Sequence, residues 1–131
     1  MGYGNERVFV YGTLRRGEPN HPLLKRGCLL GEHRAGPGFV MVDLGTYPGV
    51  VRGGEGIVKG EVYRVDRGTL QRLDRLEEYP VVYTREQIDT PFGRAWIYLH
   101  RHARGRRGVI ASGDWRDRGR GLGRRRRPTP G

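Results

Sequence analysis

Runs of β-branched and aromatic residues, punctuated by glycine and proline, dominate the chain, and helical periodicity is scarce. Val8-Phe9-Val10-Tyr11 is apolar at every position and ends in the glycine turn Gly12-Thr13-Leu14, so it reads as a strand feeding a loop. Similar runs predict strands over residues 7–11, 38–43, 49–51, 57–65, 83–90 and 93–100, with Thr90-Pro91-Phe92-Gly93 as the turn of a closing hairpin. Short helices fit residues 21–25 and 68–78. Pro80 closes the second, because the residue before a proline is biased away from helical backbone. Many short strands with few helices predict an α+β fold.

The second helix carries the first chemical signal. At about 100° per residue, Leu70, Leu73 and Leu76 form one apolar stripe and Glu77 falls between Leu70 and Leu73. Glu78, Arg75 and Gln71 point away from it, and Asp74 sits on its border. A carboxylate facing the interior loses hydration, which disfavours its charged form and moves its pKa toward neutrality, where it can exchange protons. Helical position alone leaves two roles open for Glu77: such an acid, or the partner of one of the chain's many arginines.

Several motifs occur in one order: Tyr11-Gly12-Thr13-Leu14 after a strand, Arg15-Arg16-Gly17, Asn20-His21, Gly60-Glu61-Val62-Tyr63, Leu73-Asp74-x-x-Glu77, Tyr83-x-Arg85, Ala95-Trp96-Ile97-Tyr98 and Ser112-Gly113-Asp114-Trp115. That ordered set, from about residue 8 to about residue 118, resembles the γ-glutamylcyclotransferase-like family. The resemblance implies a small mixed β-barrel flanked by short helices. It also implies cyclisation of a small γ-glutamyl amide to 5-oxoproline with release of an amine, Glu77 as general acid/base, and Tyr11, Gly12, Thr13 and Leu14 as the loop holding the glutamyl group. No metal or other cofactor is implied. One departure is visible: Glu78 stands where family members often have glycine.

Tyr83, Arg85 and Tyr98 are further candidates. Tyr83 and Arg85 share a strand face. Tyr83 is read as lining the pocket and Arg85 as a structural residue pairing with an acid. Tyr98 shares a face with Trp96 in a stripe that suits packing and also offers Tyr98 to the substrate. The amine half of the substrate would be read by segments such as residues 37–56, for which no motif is present.

Charge changes the picture only at one end. Of the net charge of +11 on 131 residues, residues 101–131 supply +9, from eleven arginines against Asp114 and Asp117. Residues 1–115 therefore read as the folded domain and 116–131 as a basic, flexible tail. Such a tail can contact nucleic acid through phosphates, but it lacks aromatic residues for base stacking, and a solvated extension is the preferred reading.

The remaining residues exclude other chemistries. Cys28 is the only cysteine, so no disulfide or thiolate cluster is available; a small buried role is expected for it, and the chain reads as cytoplasmic. Ser112 is the only serine and lies outside any nucleophile elbow. His100 and His102 lack a third metal ligand. No phosphate loop, signal core or membrane-spanning stretch is present, and oligomeric state is left open. The rival to an enzyme is a catalytically silent member binding an amino-acid-like ligand or a protein partner in the same pocket.

Overall fold

A computed structural model describes residues 4–103 and 108–118; the predicted basic tail lies largely outside the described residues. Six strands form one mixed sheet: β1 (Glu6–Val10), β2 (Cys28–Asp43), β3 (Pro48–Arg52), β4 (Gly56–Val65), β5 (Tyr83–Ile88) and β6 (Ala95–His100), in the order β3-β2-β4-β1-β6-β5. Among the described residues, one α-helix, α1 (Arg67–Leu76), and two 3₁₀ turns, His21–Leu24 and Trp115–Asp117, accompany the sheet.

The unbroken apolar run in β1 has a direct cause. The strand is central, antiparallel to β4 and parallel to β6, and both of its faces are covered. Phe9 packs with Phe39, Met41, Val62, Ile97 and Trp115 on one side. Val8 and Val10 pack with Leu24, Leu70, Leu73 and Tyr98 under the helices on the other.

The sheet is not closed among the described residues, so the expected small mixed β-barrel is not confirmed. The strand order leaves β3 and β5 as sheet edges, and no ladder joins them among the described residues. Side chains bridge the seam instead: the Tyr83 hydroxyl donates to the Pro48 carbonyl at 2.8 Å, and Arg52 pairs with Glu86 at 2.6 Å. Pro48 has no N–H to offer a ladder at that point.

Strand β2 is far longer than the expected 38–43. Its first eleven residues contain Gly31, Gly36 and Gly38, all at positive φ, with register shifts at Leu29/Gly31 and Ala35/Phe39. These are bulges, and they hide the period-two pattern that marks a strand in sequence. Gly31 is required there, because a Cβ would sit 2.4 Å from the Phe92 ring. Cys28, expected to be buried, is exposed at the start of this strand, before it reaches the core.

Helix α1 begins at Asp66, whose side chain accepts from the Thr69 N–H at 2.7 Å as an N-cap. It ends sooner than the expected 68–78. Glu78 adopts φ 53°, with its N–H donating to the Arg75 carbonyl at 3.1 Å and the Tyr79 N–H to the Asp74 carbonyl at 2.9 Å. That bond pair is the left-handed helix stop usually built on glycine. Pro80 follows the stop rather than causing it.

Candidate active site

The loop after β1 is held rigidly from beneath. Arg15 is 4% exposed, and its guanidinium reaches Glu61 at 3.3 Å and Asp114 at 2.8 Å. Glu61 is fully buried on β4 and also accepts from the Arg16 N–H at 3.0 Å and the Tyr63 hydroxyl at 2.9 Å. Burial alone would raise the Glu61 pKa, but these donors and the Arg15 charge outweigh it and hold it below the ordinary value. Sequence reasoning placed Glu61 and Asp114 in motifs without seeing this cluster. β4 carries Lys59 and Arg64 as well as Glu61, so a charge in that strand did not single Glu61 out.

Upper contacts finish the loop. Asn20 donates from its N–H to the Thr13 carbonyl at 2.8 Å and from its side chain to the Thr13 hydroxyl at 2.9 Å, while the Arg15 N–H reaches the Gly12 carbonyl at 3.0 Å. These bonds leave the N–H groups of Gly12, Thr13 and Leu14 without an acceptor among the described residues. Gly12 is needed for closeness: a Cβ would lie 2.7 Å from the Pro48 ring.

A cavity of about 370 Å³ opens where this loop, residues 46–48 and the end of α1 meet. All the candidate residues Tyr11, Gly12, Thr13, Leu14, Glu77, Tyr83 and Tyr98 line it. Of the segment 37–56, only Thr46, Tyr47 and Pro48 reach the cavity; the rest is mostly the paired strands β2 and β3.

Glu77 is the C-cap residue of α1 rather than an interior helical one, at φ −84° and ψ 0°, and it lines the cavity beside Leu76. It is half-buried, because the cavity admits solvent to it, and no side-chain or backbone donor reaches its carboxylate among the described residues. Burial without a compensating donor pushes its pKa up to about 7. Asp74, one turn earlier, has a different fate. It accepts from Arg85 at 2.8 and 3.0 Å and from the Tyr98 hydroxyl at 2.6 Å. Arg85 in turn lies over the Tyr79 and Trp96 rings. This clamp ties the last turn of α1 to β5 and β6, and Arg85 faces Asp74 rather than the cavity.

The three tyrosines form the walls, with hydroxyl protons committed to the scaffold: Tyr11 donates to the Tyr98 carbonyl at 2.6 Å, Tyr83 to Pro48 and Tyr98 to Asp74. Burial first, and the Glu77 charge in addition, raises all three hydroxyl pKa values. They offer the cavity ring faces and lone pairs. His100 packs edge-on against Tyr83. Among the described residues no three His, Cys, Asp or Glu form a metal-ligand set, and no helix is long and apolar enough to cross a membrane.

The fold is shared with known proteins. Residues 8–117 match the family described as gamma-glutamyl cyclotransferase, AIG2-like, and the chain belongs to that family. It is 52% identical over 108 residues to a Vibrio cholerae protein named "Putative gamma-glutamylcyclotransferase", covering 82% of this chain and 93% of that one. Escherichia coli YtfP, named as a gamma-glutamylcyclotransferase family protein, is 42% identical over 112 residues, covering 86% and 97%. Among solved structures, an uncharacterized protein of Pyrococcus horikoshii superposes with a TM-score of 0.76 at 33% identity, covering 93% of this chain and 98% of that one.

Proposed function

We propose that this protein cyclises a small γ-glutamyl amide to 5-oxoproline and releases the amine, with Glu77 as the single general acid/base. The substrate's α-ammonium loses a proton to the Glu77 carboxylate. The freed lone pair attacks the γ-carbonyl carbon of the same molecule, forming the ring C–N bond as the carbonyl electrons move to oxygen. Collapse of that intermediate breaks the bond to the amine and the proton on Glu77 passes to the departing nitrogen; the ring nitrogen then gives its remaining extra proton to the Glu77 carboxylate, which hands it to the released amine, so that the amine leaves as an ammonium. One carboxylate serves these transfers because its pKa lies near the working pH. Nucleophile and electrophile belong to one molecule, so folding it into an attack geometry supplies much of the acceleration.

A single observation carries this reading. A carboxylate with its pKa raised to about 7 shares one cavity with the unpartnered backbone N–H groups of residues 12–14. Those amides suit the α-carboxylate of a glutamyl group, since successive N–H groups hold an anion without a buried cation. Tyr11, Tyr83 and Tyr98 remain protonated throughout and keep the walls neutral.

The test is release of 5-oxoproline from a panel of γ-glutamyl amides. Glu77→Gln is expected to lower kcat by about 10²–10⁴-fold, and wild-type kcat/KM to rise with pH through about 7 as the acid ionises. Ligand-induced thermal stabilisation with no 5-oxoproline from any amide would leave a binding pocket and sink the catalytic reading.

A further inference from the structure

The catalytic cavity continues past Pro19 and Asn20, which also line a second, shallower groove of about 440 Å³ between the first 3₁₀ turn and α1. The charged residues of this groove are Lys25, Arg26 and Arg72, with no acid among its lining. Arg72 precedes Leu76 by one helical turn, so the two lie on the same side of α1. Leu76 lines the cavity and Arg72 the groove. The Arg72 guanidinium is steadied by the Thr69 hydroxyl at 3.1 Å. Asp66, the ionised cap of α1, lies near enough for Arg26 and Arg72 to help hold its pKa down after the Thr69 hydrogen bonds, so it offsets part of the groove's positive charge and leaves it net cationic. The cavity has the opposite character, since the charged residues lining it are Glu77 and Glu78.

An anion carried by the amine half of a substrate is therefore repelled inside the cavity and attracted in the groove. We infer that the groove of Lys25, Arg26 and Arg72 is a subsite for a carboxylate or phosphate borne by the amine portion, several bonds from the scissile nitrogen. This rests on the cyclotransferase reading of the cavity. The carboxylate of an α-amino acid, two bonds from that nitrogen, stays beside the acids and gains nothing from the groove. The favoured substrates are thus γ-glutamyl amides of ω-amino acids or of amino-alkyl phosphates.

The experiment compares the γ-glutamyl amides of hexylamine, aminocaproate and aminohexyl phosphate. Wild-type protein should turn over the two anionic amides with kcat/KM roughly tenfold above the neutral one at low salt, as expected for a few exposed charges acting together. The combined variant Lys25→Gln, Arg26→Gln, Arg72→Gln should erase that advantage and leave the hexylamide rate unchanged, and high salt should do the same to wild type. A larger effect with the phosphate than with the carboxylate names phosphate as the natural group. An unchanged ratio in the variant, or equal losses for all three amides, overturns the subsite. If wild type releases no 5-oxoproline even from the hexylamide, the cyclotransferase reading fails separately. Calorimetric binding of the same three compounds then decides the groove: anion-dependent affinity lost in the variant upholds it, and affinity blind to charge overturns it.

Discussion

Glu61 and Glu77 are both carboxylates taken out of bulk water, and they end on opposite sides of their ordinary pKa. Glu61 meets an N–H, a phenol and a guanidinium, and stays ionised. Glu77 meets none of these in the described structure, and its proton is held to about pH 7. Burial supplies the same penalty in each case, and the donor set decides the outcome. One carboxylate thereby fastens the loop, and the other is left free to react beside it.

The hardest way to break this contrast is to remove the fastened acid. Glu61→Ala leaves Arg15 buried and without one of its two carboxylate partners, and should cost about 3–5 kcal/mol of stability by chemical denaturation. A smaller effect sharpens the other half. Because the folded-state pKa of Glu77 is raised, its ionisation opposes folding; the penalty is absent below pH 4.5, grows through that window and is complete above about 7. Glu77→Gln should therefore be more stable than wild type at pH 8, on the order of 2 kcal/mol after allowing for solvent in the cavity. The difference should vanish at pH 4. A variant no more stable at pH 8 than at pH 4, relative to wild type, would mean that Glu77 is solvated like a surface acid. The smallest effect comes from the neighbouring residue. Glu78→Gly relieves a non-glycine left-handed backbone at the helix stop and should raise stability by about 1 kcal/mol, measurable as a higher denaturation midpoint at unchanged slope.

The free acid was legible in the sequence and the fastened one was not. Glu77 interrupts a leucine stripe at helical spacing, so one-dimensional periodicity reports which way it faces. Glu61 lies in β4, which is buried on both faces over most of its length, and alternation there carries no inside-outside signal. Its partner Arg15, and Asp114 on the other side of that guanidinium, are distant in sequence and brought together by the sheet and the last 3₁₀ turn. The Asp74–Arg85 clamp was half legible: a pairing role for Arg85 followed from its strand face, but the identity of the acid depended on how α1 docks. The earlier part of β2 escaped because its glycines serve bulges and ring packing, which read locally as loop. Closure of the barrel was expected from resemblance alone, and strand periodicity contains no information about it.

The seam between β3 and β5 has a consequence for how such a protein tolerates change. Had backbone hydrogen bonds continued across it, the space beside Pro48 and Tyr83 would be filled by main chain, and any alteration there would disturb the ladder. Because side chains span the gap among the described residues, Tyr47 and Val82 line the cavity without belonging to any strand, and a change at either is expected to leave the ladders in place. An incomplete cylinder is in this sense a scaffold with a replaceable doorway.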